Sequence, residues 1–211
     1  MALADRAAKE IPGIAILPPS PYGTSFEHST FPGTIAIRDD VLNNFWADIV
    51  ASVSRSGVER ILLINGHGGQ TSNVQIAIRN ARFEHGIMAV SFSVQAMLSK
   101  AYKAIAGSDV SEDELLHGIH GGLLETSVML YLHPELVHLD YAQHFKPRKR
   151  PHTHLKPYGE IVSYGWYMKD LCEDGALGNA AGSSPELGSE IFDLCVAELR
   201  DLITEIISTE V

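Results

Sequence analysis

The chain has 211 residues, 45% apolar and 20% charged, a balance that fills a globular core and excludes a disordered chain. Its formal charge of −10 at pH 7 opposes phosphate backbones and anionic membranes, so neither nucleic acid nor a membrane is an expected partner. Two cysteines, Cys172 and Cys195, are too few for a disulfide framework and point to packed, reduced thiols in a cytoplasmic protein.

The opening stretch Met1-Ala2-Leu3-Ala4-Asp5-Arg6 lacks the apolar region of a signal peptide, and no apolar run reaches membrane-spanning length, so a soluble protein is expected. The pattern predicts a helix over Ala2 to Glu10 and a buried strand over Gly13 to Leu17, stopped by Pro18-Pro19. Ser20 to Ile37 reads as a loop. Pro21, Gly23, Pro32 and Gly33 break it, while Tyr22, Phe26, His28 and Phe31 give it the aromatic content of a pocket wall. Asp39 or Asp40 caps a helix that runs through Leu42, Phe45, Trp46, Ile49 and Val50 to Ser56, where Gly57 stops it.

The strand Arg60 to Ile64 carries the apolar run Ile61-Leu62-Leu63-Ile64, as expected of a buried strand, and ends abruptly at Asn65-Gly66-His67-Gly68-Gly69. A helix over Thr71 to Phe83, a break at Gly86 and a strand over Ile87 to Phe92 complete a strand–helix–strand unit. Alternation at this spacing predicts parallel strands with right-handed crossovers, and so an α/β sheet covered by helices on both faces. Val94 to Ala106 reads as helical, Gly107 to Glu114 as an acidic connection, and Leu123 to Leu132 as a helix closed by His133-Pro134. From Val137 to Gly188 the pattern weakens, with aromatics at Tyr158, Tyr164, Trp166 and Tyr167. Pro185-Glu186-Leu187-Gly188 opens a last helix whose apolar positions Ile191, Cys195, Leu199, Leu202 and Ile206 make one buried face. One domain over 1–211 is expected, without repeats or linkers.

His67 stands where the strand should end, and ligands of open α/β sheets sit outside the carboxyl ends of strands. Neutral imidazole ligates zinc, manganese and iron, and the flanking glycines leave room for a metal, its water and a substrate carbonyl; capping the next helix is the plainer use of the same residue. The Lys and Ser/Thr of a Walker phosphate loop are absent. A second cluster, His120-Gly121-Gly122-Leu123-Leu124-Glu125-Thr126-Ser127, repeats the logic. Glu125 lies in the first turn of a helix, where the dipole alone favours a carboxylate. Histidine in its unperturbed state ionises near working pH, so His120 suits an acid or base role, and His117 either joins it or faces solvent. Together the two clusters point to a hydrolytic metal site.

Other candidates carry less. Glu27 and His28 form a pair in the aromatic loop that could bind substrate. His152 and His154 have the spacing of a strand chelate, but they follow Lys146, Arg148, Lys149 and Arg150 in a proline-flanked stretch where exposure is the simpler account. His85, His133, His138 and His144 form no constellation. G-x-S-x-G is missing, and neither cysteine neighbours a histidine in sequence.

Taken in order, Leu17-Pro18-Pro19 through Tyr22-Gly23, Glu27-His28, Phe31-Pro32-Gly33-Thr34, Asn65-Gly66-His67-Gly68-Gly69, and His120-Gly121-Gly122 with Glu125-Thr126-Ser127 resemble the creatininase (creatinine amidohydrolase) family. Gly175 to Gly188, with Gly175, Gly178, Ala180, Gly182 and Gly188, resembles the small-residue-rich C-terminal region of that family. The resemblance implies a three-layer α/β/α fold with a mainly parallel sheet and a site of two divalent metals, zinc or manganese, or iron. It implies hydrolysis of the C–N amide bond of a small molecule, in a homo-oligomer. By position it implies His67 as a metal ligand, Glu125 as a metal ligand or catalytic carboxylate, and His120 as the catalytic histidine. Tyr22, Glu27, His28, Gly68 and Gly69 are expected against substrate.

The chain also departs from the family. Members open with a strand and a loop bearing E-x-H and a later Asp, which supply metal ligands; Met1 to Ala8 resembles the inside of the helix after that Asp. We therefore expect an N-terminally incomplete domain, with Met1 an internal methionine of a longer reading frame and activity impaired in this short form. Creatininase itself has a glutamate two residues after the loop histidine, where this chain has Gly69, which leaves Glu125 as the substitute. His67 and Glu125 alone fall short of the three protein ligands usual for a catalytic zinc. The competing reading is thus a non-catalytic creatininase-like subunit or small-molecule-binding paralogue that keeps the pocket without the metals.

Overall fold

The computed structural model describes residues 1–149, 154 and 162–211. Its elements in chain order are α1 (Ala2–Ala8), α2 (Asp39–Arg55), β1 (Arg60–Asn65), α3 (Thr71–His85), β2 (Met88–Ser93), α4 (Val94–Ala106), α5 (Glu112–His117), α6 (Leu123–Leu132), β3 (His144–Phe145), α7 (Met168–Leu171), β4 (Gly178–Asn179) and α8 (Pro185–Ser208). They gather into two compact units. The first comprises Met1–Ser25, Ala36–Ala101 and Phe192–Val211, and the second Phe26–Ile35 and Tyr102–Ile191.

The first unit is built on the predicted strand–helix–strand. β1 and β2 pair in parallel, from Arg60 opposite Met88 to Asn65 opposite Ser93, as two apolar strands joined by a helical crossover must. Gly86, at φ +70°, ends α3 in the left-handed conformation glycine adopts without strain, and its N–H reaches the Arg82 carbonyl at 3.0 Å. Val50, Ala81 and Ile87 form a buried cluster with Ile61 and Ala89 packed on it. Buried Asn73 donates through Nδ2 to Asp39 Oδ1 at 3.0 Å and Asn43 Oδ1 at 3.1 Å, tying α3 to the first turn of α2. Arg60 donates to the carbonyls of Ile206 at 3.0 Å and Thr209 at 2.7 Å, satisfying acceptors left over at the end of α8.

Three expectations for local structure are corrected. Gly13 to Leu17 is not a strand: the segment is irregular, with Ile16 and Leu17 41% and 56% exposed, and no strand among the described residues pairs with it. An apolar run becomes a strand only where a neighbour completes its ladder. The side chains Ile61 to Ile64 are half-buried rather than buried, since β1 has one ladder partner among the described residues and a continuous apolar run needs cover on both faces to be fully enclosed. The acidic connection Gly107 to Glu114 contains a helix start. Ser111 caps α5 by accepting the Glu114 N–H at 3.2 Å.

In the second unit, the region of weak pattern resolves into short pieces. β3 and β4 pair antiparallel, His144 opposite Asn179 and Phe145 opposite Gly178. Met168, Leu171, Cys172 and Leu177 make a buried cluster, with Phe31, Ile119, Phe145 and Trp166 packed against it. Early in α8, Gly188 lies so close to α6 that a Cβ there would stand 1.9 Å from the Ser127 carbonyl oxygen. Lys146, Arg148 and Lys149 are exposed, and Arg148 pairs with Glu173. Arg150, His152 and Tyr158 lie outside the described residues; His154 is exposed. Cys172 and Cys195 are buried and unbridged. Among the described residues no helix is long and apolar enough to cross a membrane.

Candidate functional site

Tyr22, His67, Gly68 and Gly69 belong to the first unit. His67 follows β1 in an extended conformation, φ −135° and ψ 120°, immediately before a tight 3-10 turn, Gly68–Gln70, that leads into α3. Buried Asn65 holds this loop, its Oδ1 accepting the His67 N–H at 3.2 Å and Gln70 Nε2 at 3.0 Å. The imidazole is half-buried, with Nε2 3.2 Å from Ser25 Oγ. A hydroxyl can donate to or accept from an imidazole nitrogen, so this contact orients the ring without dictating its tautomer.

None of Gly66, Gly68 and Gly69 has positive φ, so a tight turn is not what requires them. A Cβ at Gly68 would lie 2.7 Å from Gln95 Oε1, so a larger residue there would displace the tip of that side chain. Gly23 likewise leaves space for Gln70, whose Oε1 would be 2.1 Å from an added Cβ. Tyr22 is 52% exposed, beside a turn in which Ser20 Oγ donates to its carbonyl.

Glu27, His28, His120 and Glu125 belong to the second unit. A single 3-10 turn, Phe26–His28, presents Glu27 and His28, and the His28 carbonyl is fixed by the Thr34 hydroxyl at 2.9 Å and the Phe31 N–H at 2.9 Å. His28 Nε2 lies 3.7 Å from Glu27 Oε1, with both side chains 16% exposed. The His28 ring packs on the His120 ring, centroids 4.2 Å apart at 35°. Two motifs far apart in the sequence thus meet at one imidazole pair.

His120 enters from a turn held at both ends. Its carbonyl accepts the Leu177 N–H at 2.7 Å, and Gly121 adopts φ +63°, which a non-glycine residue rarely does. Glu125 Oε2 accepts the Gly121 N–H at 2.6 Å. This resembles the returning half of a capping box at the start of α6, displaced by one residue. Thr126 donates its hydroxyl to the Gly121 carbonyl at 3.3 Å, and the fully buried Ser127 accepts the Ser184 N–H at 3.2 Å, so both side chains stabilise the turn and the helix packing.

Sequence reasoning did not single out Glu114. Its carboxylate is only 3% exposed. Oε1 accepts the Leu123 N–H at 2.7 Å, and Oε2 accepts the Asn179 N–H at 2.7 Å. The Ser-x-x-Glu spacing of Ser111 and Glu114 gives the helix start, but nothing local reveals that the carboxylate turns inward to a partner 65 residues on.

Three other histidines have partners of their own. His133 faces Glu135 at 3.4 Å, His144 faces Asp113 at 3.4 Å, and His138 packs edge-on to Tyr141 at 6.4 Å. His117 is half-buried and His85 exposed. Among the described residues no three His, Cys, Asp or Glu side chains converge where they could hold a metal ion.

The creatininase family model, described as creatinine amidohydrolase, matches residues 1–203. Creatinine amidohydrolase of Pseudomonas putida is 27% identical over 97% of this chain and 79% of its own length. The 3-dehydro-scyllo-inosose hydrolase of Thermotoga maritima is 26% identical over 92% of this chain and 66% of its own. The solved structure "Creatininase Mn" superposes with a TM-score of 0.76 at 26% identity, covering 99% of this chain and 81% of that one.

Proposed function

Because the chain belongs to the creatininase family, we propose that it is a metal-dependent amidohydrolase that cleaves the C–N amide bond of a small molecule. The observation that carries the reading is the meeting of Glu27-His28 with His120, two chemistry-bearing motifs joined by a 4.2 Å ring contact. Amide hydrolysis needs a proton for the departing nitrogen, and a protonated imidazole is a side chain that can supply one. His120 is assigned that role. His67 is assigned as a metal ligand and Glu125 as a metal ligand or catalytic carboxylate, with Tyr22, Glu27, His28, Gly68 and Gly69 against substrate. The relatives named above act, by their descriptions, on creatinine and on 3-dehydro-scyllo-inosose, so the common denominator is a small polar molecule rather than one compound.

Divalent zinc or manganese, or iron, two per complete site, would polarise the amide carbonyl and activate water in such a centre. The described side chains do not fit that centre unaided: no three donors converge, and a catalytic zinc takes three protein ligands. No step is therefore assigned to the metal. That same shortfall favours a second reading, a creatininase-like subunit or paralogue that binds a small molecule without turnover. A cytoplasmic homo-oligomer is the setting expected for either.

The deciding experiment loads the purified chain with Zn²⁺ or Mn²⁺, measures bound metal by plasma mass spectrometry, and assays a panel of small cyclic and linear amides that includes creatinine. Stoichiometric metal and turnover, both lost in His67→Ala, support the amidohydrolase. Amide binding without metal or turnover moves the assignment to the non-catalytic reading.

A further inference from the structure

We propose that Glu114 is a positioning residue for His120, an inference that rests on the reading of His120 as the catalytic histidine. The turn carrying His120 has no regular structure of its own, so its geometry rests on local bonds such as Gly121 N–H to Glu125 Oε2 and on anchors at its flanks. Glu114 supplies those anchors on both sides. Oε1 takes the N–H of Leu123, the first residue of α6, and Oε2 takes the N–H of Asn179 on β4, two residues beyond the Leu177 N–H that holds the His120 carbonyl. On the near side, the Glu114 carbonyl accepts the Gly118 N–H at 2.7 Å. One residue thus fastens the entry to the turn, its exit, and the strand against which its centre lies.

The surroundings are shaped for this carboxylate. Added Cβ atoms at Gly118, Gly122 and Gly178 would stand 2.1, 2.5 and 2.7 Å from Glu114 Oε1. Those at Gly122 and Gly178 would also meet backbone at 2.8 and 2.7 Å, which cannot swing aside as a side-chain tip can. Three chain segments therefore close on the carboxylate through glycine alone. A leucine of similar size would fill the slot without the cost of desolvating a charge, but it would leave the Leu123 and Asn179 N–H groups without acceptors. A buried carboxylate is favoured where two backbone donors must be aimed at fixed points, and here both belong to the frame around His120. The ring held in that frame is the one that packs on His28.

The test compares wild type with Glu114→Gln, which keeps size but turns one acceptor into a donor facing an N–H, and Glu114→Asp, which keeps charge but is one methylene short. The main readout is nuclear magnetic resonance of histidine-labelled protein. Ring-to-ring cross-peaks between His28 and His120 are followed against those between His138 and Tyr141 as an internal control. Loss of the His28–His120 cross-peaks in folded Glu114→Gln, with the control intact and partial retention in Glu114→Asp, which keeps both acceptor oxygens, is the expected result. Retention of those cross-peaks and of the His120 shifts in folded Glu114→Gln overturns the proposal. If Glu114→Gln does not fold, hydrogen exchange in the wild type decides: protected Leu123 and Asn179 amides are expected, and rapid exchange at either overturns it. Where the wild type turns over an amide, kcat in Glu114→Gln should fall on the order of 100-fold with KM changed less than about threefold, as for a displaced acid. A wild type with no turnover sinks the amidohydrolase reading alone, while the ring contacts still decide the role of Glu114.

Discussion

Gly121 donates its N–H to Glu125 Oε2 at 2.6 Å, so the helix carboxylate assigned to chemistry also closes the turn that leads into its own helix. The two uses separate under substitution. Glu125→Gln retains an oxygen for the Gly121 N–H and should lose less than about 1 kcal/mol of stability, whereas Glu125→Ala removes a charge-assisted bond and should lose about 1.5–3 kcal/mol. Turnover should fall at least about 100-fold in both. Urea unfolding beside the amide assay checks this; a Gln variant with full turnover would remove Glu125 from the catalytic set.

Ser25 touches His67 through Oγ and Nε2 at 3.2 Å. Ser25→Ala should leave stability within about 1 kcal/mol, since one hydrogen bond is at stake. Groups that orient a ligating histidine are worth about 10–100-fold in metal affinity, so competition titration with a chromogenic chelator should show a loss of that size. Unchanged affinity would mean that Ser25 does not orient His67 as a metal ligand.

Gly188→Ala should destabilise the protein, although alanine within a helix ordinarily gains about 1 kcal/mol over glycine. The Cβ would stand 1.9 Å from the Ser127 carbonyl oxygen, and overpacking against backbone costs about 1–3 kcal/mol. A thermal midpoint at or above that of the wild type would contradict the close approach of α6 and α8.

Burial, with Glu198 a lesser cause, pushes the Cys195 thiol from its ordinary 9.0 up to about 11. The folded chain keeps this proton where the unfolded chain loses it. The resulting stability is whole below pH 9 and is lost as pH rises from about 9 to about 11, a change of at most about 3 kcal/mol. Urea midpoints at pH 8 and pH 11 should therefore differ more in the wild type than in Cys195→Ala. Thiol reagents should reach Cys195 only after unfolding; rapid labelling of the native protein at pH 8 would refute its enclosure.

The strand–helix–strand of β1, α3 and β2 is legible in the sequence because two apolar runs, the helical stretch between them and Gly86 all point the same way. The same agreement sets the bounds of α4 and α6 and the start of α8 at Pro185. Gly13 to Leu17 misleads because composition reports what a strand could be made of, while a strand exists only with a partner. Both His28 and His120 stand out by type, yet their 4.2 Å contact depends on a loop and a turn that no periodicity connects. Glu114 is the clearest loss. As one acid in an acidic run it looks solvated, and its meaning lies in a donor far along the chain and in three glycines whose small size, rather than backbone freedom alone, makes the slot.

That reach along the chain has a consequence for the order in which the molecule is made. Glu114 and Asn179 are 65 residues apart, and a ribosome adding about 5–20 residues per second leaves on the order of 3–13 s between them. Once Leu132 is made, and for the rest of that interval, the segment bearing His120 exists with α5 and α6 but without the strand that completes its frame. A nascent chain halted before β4 would hold every residue of that turn and still lack its geometry.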